Sequence, residues 1–305
     1  MHKKAVFAII ILLFLTACTP NQAKITTAVK ETNGSIEVYF CPRDNCSQQL
    51  ISLINSANSS VQCAFYELEL PEVIDALKNK NAEIITNIDR NSSSLMHNKF
   101  CIIDNKAVAT GSFNPTENGD KYNNNNLVII HSKYLGQNYK DEFNELKSGQ
   151  FGKGNNARYP AIYLNSTKIE NYFCPEDSCA EHIIAELKKA EHSIHFMAFT
   201  FTHNSISNAL ALKLHHNLTV KGLIEKSLQS KYSRYDFLEL QGAEMHYDTN
   251  PKIMHHKVFI IDNQTVITGS MNPTFSADTD NDENIIIIHD KQIAEKFLKE
   301  FEGLI

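Results

Sequence analysis

The chain has 305 residues, 42% hydrophobic and 21% charged, with 29 basic against 35 acidic side chains and a formal net charge of −6. This is an ordinary globular composition, long enough for two small units. The acidic balance argues against a high-affinity, non-specific grip on nucleic acid, which normally needs a basic face, and leaves room for a local basic cleft.

The N-terminus opens Met1-His2-Lys3-Lys4 and continues in an apolar run from Ala5 to Leu15. That run is too short for a bilayer span, which takes about 20 residues, and suits a signal-peptide core. It closes on Leu15-Thr16-Ala17-Cys18, which resembles a bacterial lipoprotein box. A plain secretory signal cut nearby is the alternative. On the lipoprotein reading, residues 1–17 are a leader, Cys18 is the lipidated first residue, and the polar stretch 18–33 is a tether. The protein is then expected to be exported and held by lipid at the cell membrane or outer surface.

From residue 34 the chain uses one unit twice. A strand over 36–40 leads into Cys41-Pro42-Arg43-Asp44-Asn45-Cys46, and a strand over 169–173 leads into Cys174-Pro175-Glu176-Asp177-Ser178-Cys179. Each is followed by an amphipathic helix (Leu50, Ile51, Leu53 and Ile54; Ile183, Ile184 and Leu187). Then come a strand (61–66; 194–201), a helix near Ala76 or Ala209, a strand (83–88; 219–224), further strands and a final helix. The predicted organisation is a first unit at 34–147, a Gly/Asn/Ser-rich linker at 148–160 and a second unit at 161–305. Alternating helices and apolar strands make each unit α/β, a mixed sheet flanked by helices. The paired cysteines are 133 positions apart (41 to 174), whereas the histidines described next are 158 apart (97 to 255). The first unit is therefore shortened by about 25 residues. The second fills the gap with a helix-like segment at 227–240 and an edge-strand-like segment at 243–247.

Export implies an oxidising compartment, which favours local Cys41–Cys46 and Cys174–Cys179 bridges. Four thiolates sharing one zinc is the competing reading. Cys63 and Cys101 sit among apolar strand residues and are expected to be buried core thiols.

The chemistry lies in two stretches with identical spacing: His97, Lys99, Asp104, Gly111, Ser112 and Asn114; and His255, Lys257, Asp262, Gly269, Ser270 and Asn272. Side chains alternate along a strand, so each His and Lys pair shares a face. Asp104 and Asp262 fall on the opposite face and farther along, which assigns them a structural role. Ser112 and Ser270 either donate to a substrate or cap a turn.

The two H-x-K-x4-D-x6-G-S-x-N stretches resemble the paired signatures of the phospholipase D superfamily, and the resemblance spans residues 34 to 305. It implies two units packed about a pseudo-twofold axis with the motifs meeting between them, in one chain that works as a monomer. It also implies a metal-free, cofactor-free phosphodiesterase. One histidine attacks phosphorus to form a phosphohistidine, and the other protonates the leaving oxygen and then activates water. Lys99, Lys257, Asn114 and Asn272 are expected to clamp the phosphoryl oxygens. In related enzymes a residue 28 positions after the histidine orients its ring; here those residues are Asn125 and Glu283. Taken within each unit, the neutral amide serves His97 and the carboxylate serves His255. That makes His97 the nucleophile and His255 the acid/base, an asymmetry similar to that of tyrosyl-DNA phosphodiesterases. The compact unit most resembles small exported endonucleases, so a nuclease-like activity is expected first. A phospholipase acting on membrane phospholipids comes second, and a silent binding module third.

Overall fold

The structure, a computed structural model, describes residues 28–89 and 94–305. The leader and Cys18 lie outside the described residues. In the first unit, β1 (Val29–Glu31) and β2 (Ser35–Cys41) are followed by α1 (Cys46–Asn55), β3 (Val61–Phe65), α2 (Pro71–Asn79) and β4 (Glu83–Thr86). Then come β5 (Lys99–Ile103), β6 (Ala107–Gly111), α3 (Glu117–Lys121), β7 (Asn125–His131) and α4 (Lys133–Lys147). The second unit adds β8 (Ala161–Leu164) and runs β9 (Thr167–Cys174), α5 (Cys179–Lys189), β10 (Ser193–Ala198), α6 (Asn204–His215) and β11 (Thr219–Ile224). It continues with α7 (Tyr235–Leu240), β12 (Glu244–Tyr247), β13 (Lys257–Ile261), β14 (Thr265–Gly269), α8 (Phe275–Thr279), β15 (Glu283–His289) and α9 (Lys291–Leu304).

Two mixed sheets result. The first has the order β2-β7-β6-β5-β3-β4, and the second repeats it as β9-β15-β14-β13-β10-β11 with β12 beyond one edge and β8 and β1 beyond the other. In each, only the strands after the first two helices run parallel to a neighbour within the shared six. Strand residues alternate between two cores. Phe100 and Ile102 join Val258, Ile260, Tyr139, Phe143, Phe297 and Phe301 in a core shared by both units. Cys101 and Ile103 face the α1/α2 side, and Phe259 and Ile261 the α5/α6 side. The sheets thus stand around the last helices, α4 and α9, with the other helices outside. Those last helices start where Ser132 and Asp290 accept from the Leu135 and Ile293 amides, an ordinary N-cap.

Three expectations change. Val29–Glu31 does not belong to a tether: it pairs in parallel with β8 at the edge of the second sheet. Glu31 accepts from Ser132 Oγ and from the Lys133 amide at 2.8 Å, so it also holds the start of α4. The helix expected over 227–240 begins only at Tyr235, because Ser230 and Ser233 hydroxyls take up the Tyr232 and Tyr235 amides in turns. Cys63 and Cys101 are not free thiols. They face each other in the register of antiparallel β3 and β5, with Cα atoms 4.1 Å apart, and form a disulfide. Cys41–Cys46 and Cys174–Cys179 are also disulfides, which leaves no thiolate among them for a shared zinc.

The glycine of each Gly-Ser-x-Asn stretch ends a strand at positive φ, +139° at Gly111 and +149° at Gly269. A Cβ on Gly269 would stand 2.2 Å from the Asn284 carbonyl oxygen, and one on Gly111 would stand 2.4 Å from that of Asn126. Backbone on backbone cannot yield cheaply. Gly269→Ala is therefore expected to lower stability by about 2 kcal/mol or more, read as a lower urea midpoint. An unchanged midpoint would show that this close approach is not needed.

Candidate active site

The two units exchange backbone just ahead of their motifs. His97 N donates to Asp282 O and Asp282 N donates to Leu95 O, both at 2.9 Å. In mirror fashion His255 N donates to Asn124 O at 2.8 Å and Asn124 N to Ile253 O at 2.9 Å. These reciprocal pairs bring the histidine of one unit beside the first residue of the other unit's last strand.

The consequence overturns the expected pairing of the orienting residues. His97 Nδ1 lies 2.8 Å from the carboxylate of Glu283, and His255 Nδ1 lies 2.9 Å from Asn125 Oδ1. Each orienting residue serves the histidine of the other unit, because the strand carrying it ends against that unit's motif. Ser270 Oγ donates to Glu283 at 2.6 Å, and Ser112 Oγ donates to Asn125 Oδ1 at 3.1 Å. Each serine also accepts the next strand's amide, from Asn284 and Asn126 respectively, at 3.0 Å. The serines therefore hold the orienting side chains in place.

Lys99 and Lys257 each donate Nζ to the carbonyl of the histidine two residues earlier, at 2.7 Å. An aromatic wall backs each pair. Tyr66 meets His97 edge-on at 4.8 Å with Lys99 Nζ 5.1 Å from its centroid. Phe199 meets His255 at 4.7 Å with Lys257 Nζ at 4.9 Å. Neither belongs to the motif spacing; the signal the sequence holds for both is the 133-position offset they share with the cysteines (66 to 199). Asn114 and Asn272 follow the serines by two residues. Asn114 Nδ2 donates to Glu67 at 3.3 Å, and both asparagines keep a buried Oδ1 with no hydrogen-bond partner. Asp104 and Asp262 lie past the ends of β5 and β13, where their carboxylates accept the amides of 58–60 and 191–193. They tie strand to loop, as expected.

Behind the motifs the unit contact is polar and hydrogen-bonded. Asn284 Nδ2 donates to Asn98 Oδ1 at 2.8 Å while its Oδ1 accepts from Thr110 at 2.9 Å. The partner copy joins Asn126 to Thr268 at 2.8 Å and to His256 at 3.3 Å. Such a network in a low-dielectric interior fixes register, since any slip leaves several groups unpaired.

His97, Lys99 and Lys257 are 6%, 2% and 3% exposed, whereas His255 keeps partial exposure. Burial pushes every group toward its neutral form. It holds both imidazoles well below their ordinary value, with the two ammonium groups adding to the effect. Lys99 is pushed down to about 7 by burial, against the pull of Glu283 and Glu67. Lys257 is lowered by burial and by Lys99. The Glu283 carboxyl is pushed up to about 8 by burial, opposed by Lys99 and Ser270. Two buried lysines thus face one buried carboxyl. Among the described residues, two groups have metal-ligand geometry, Glu170 with Glu186 and His289, and Glu142 with Glu145 and Glu176. Neither includes a motif residue.

The family model described as a cardiolipin synthase, phospholipase D-like domain matches residues 79–147 and 183–305. Together with the paired site, this shows that the chain belongs to the phospholipase D superfamily. A phospholipase D of Rickettsia typhi is 37% identical over 142 residues, 46% of this chain and 70% of that one. A mitochondrial cardiolipin hydrolase of Xenopus laevis is 31% identical over 135 residues, 43% of this chain and 64% of its own length. Each match is about one unit long. The phosphatidylserine synthase of Haemophilus influenzae has the same fold at a TM-score of 0.68, covering 87% of this chain and 85% of its own with 11% identity.

The titration of Lys99 has a readable sign. The ammonium exists below its value and is lost above it, so anion capture by the free protein weakens as pH rises through about 7. For a phosphodiester substrate, kcat/KM is expected to break downward near pH 7, and Lys99→Arg to move that break above pH 9 at reduced rate. A break left in place by Lys99→Arg would assign it to another group.

Proposed function

We propose that the protein hydrolyses phosphodiesters in two steps without a metal, with His97 as nucleophile and His255 as acid/base. The observation that carries this is the Glu283 carboxylate on Nδ1 of His97. It fixes the orientation of the ring, and in its ionised form, which Lys99 and Lys257 favour against burial, it offsets the positive charge that the ring gains on bonding to phosphorus. The roles match those expected from the sequence, on the opposite ground: the carboxylate attends the nucleophile. His97 Nε2 adds to phosphorus as the P–O bond to the leaving group breaks, and His255 gives that oxygen its proton. His255 then takes a proton from water, the water oxygen bonds to phosphorus, and the P–N bond returns its electrons to His97. His255 suits this work because it keeps partial exposure, whereas His97, Lys99 and Lys257 are buried. Lys99 and Lys257, with Asn114 and Asn272, meet the charge on the phosphoryl oxygens, the task that divalent cations perform elsewhere.

For the substrate, phospholipid is the reading favoured by the names of the relatives and by a carboxylate beside the first motif. Glu67, exposed beside the motif, bonds Asn114; a polyanion would meet it. The nuclease-like reading rests on the resemblance of the compact paired motif to small exported endonucleases. In excess EDTA, a p-nitrophenyl phosphodiester is expected to be turned over by the wild type. His255→Ala should release one burst of nitrophenol and retain phosphoenzyme, and His97→Ala should give no burst. A burst in His97→Ala alone would reverse the roles, and full loss in EDTA restored by Mg²⁺ would refute the mechanism. Release of headgroup from vesicles, or cleavage of single-stranded DNA, decides between the two substrates.

We further propose lipid attachment through Cys18, which supports the phospholipid reading by placing the site at a membrane. Cys18→Ser is expected to shift the protein from the membrane fraction or leave it unprocessed; unaltered fractionation would remove that support.

A further inference from the structure

The disulfide-closed turn of each unit reaches across to the last helix of the other, and the two crossings carry opposite charges. Arg43, on the Cys41–Cys46 turn, places Nη1 2.9 Å from Glu300 Oε2 on α9. Glu300 is buried, and its other oxygen is 3.5 Å from Nε2 of His256, the residue between His255 and Lys257. By chain register Glu176 is the counterpart of Arg43, 133 positions on, and Glu142 that of Glu300, 158 positions back. Asn98, between His97 and Lys99, is the counterpart of His256 and donates to Glu142 Oε1 at 3.0 Å. One crossing is therefore guanidinium on carboxylate, and the other is carboxyl on carboxyl. Glu142, Glu176 and Glu145 present carboxyl oxygens within 4.8 Å of one another beside a cavity of about 810 Å³.

We infer that Glu176 is a positioning residue for the His97 half of the site: it shares one proton with Glu142, and that bond fixes the carboxyl on which Asn98 is held. Two carboxylates cannot both be ionised so close in a desolvated place, so one keeps its proton. The surrounding charges reinforce this. Glu145 and Asp282 face Glu142, and Asp177 and Asp282 face Glu176. Arg158, the cation at the cavity, is paired with Asp141. Burial is the largest cause of the rise in both groups, with Glu176 reaching about 7. Loss of the proton sets the carboxylates against each other and releases Asn98, whose oxygen is a partner of Asn284 across the unit contact. The other half, held by Arg43, has no such step.

The sign is fixed by linkage. Both carboxyls titrate higher in the folded than in the unfolded chain, so their stabilising share is complete below about 4.3 and is lost as pH rises above it, for Glu176 through about 7. The inference uses the proposed activity only in naming the His97 half as catalytic, and both readouts below are independent of turnover. For the full chain, Tm of the wild type is expected to fall about 5 °C more between pH 5 and 8 than that of Glu176→Arg, which installs the Arg43 type of crossing. Glu176→Gln should fall between them, and Arg43→Glu should steepen the wild-type slope by adding a second acid pair. The Asn98 side-chain amide NMR signals, assigned with Asn98→Asp, should move with pH in the wild type and stay fixed in Glu176→Arg or, if that variant does not fold, move less in Glu176→Gln. Equal Tm slopes in wild type and Glu176→Gln, or Asn98 signals indifferent to pH in the wild type, would overturn the inference.

Discussion

The exchange of orienting side chains between units is the constraint on which the rest depends. Glu283 reaches His97 and Asn125 reaches His255 only if the strand ends of each unit pair with the segment ahead of the other's motif. That pairing in turn needs the two sheets at one separation and one register, which the shared apolar core and the Asn/Thr network behind it supply. Glycine at 111 and 269 lets the serine-bearing loops lie against β7 and β15, so that the hydroxyls meet the orienting residues. Packing, backbone freedom and hydrogen bonding thus converge on two imidazoles.

The site's electrostatics follow from the same burial. Lysines in a dry cleft are costly unless an anion is present. Two of them, each tied to a histidine carbonyl, make a pocket whose protonation is unfavourable while empty and favourable when a phosphoryl group arrives. The aromatic walls at Tyr66 and Phe199 soften that cost without taking the lysines' charge, as a carboxylate partner would.

Much of this was legible in the chain. The duplicated spacing revealed the motifs, the order of elements, the local cysteine bridges and the structural role of the two aspartates, since all of these depend on neighbours close in sequence or repeated in it. The histidine partners were not legible: spacing links Glu283 to His255, and only the twofold crossing gives it to His97. Cys63 and Cys101 are 38 positions apart, and nothing local announces that β3 and β5 set them opposite each other. Val29–Glu31 looked polar and tether-like because an edge strand of three residues carries almost no periodic signal. The Arg43 and Glu176 crossings were present as unlike letters at matched positions, and acquired meaning only once each turn was seen to rest on the opposite helix.

Carrying both units in one chain has a consequence for how such a site can change. In a symmetric dimer of single units every substitution enters both halves at once, so a carboxylate gained by one histidine is gained by both. Here the copies are separate stretches of one gene. One keeps an amide at 125 while the other has a carboxylate at 283, and one turn keeps arginine while the other has glutamate. Fusion frees the halves from repeating each other, so specialisation of one histidine need not be tolerated by its twin.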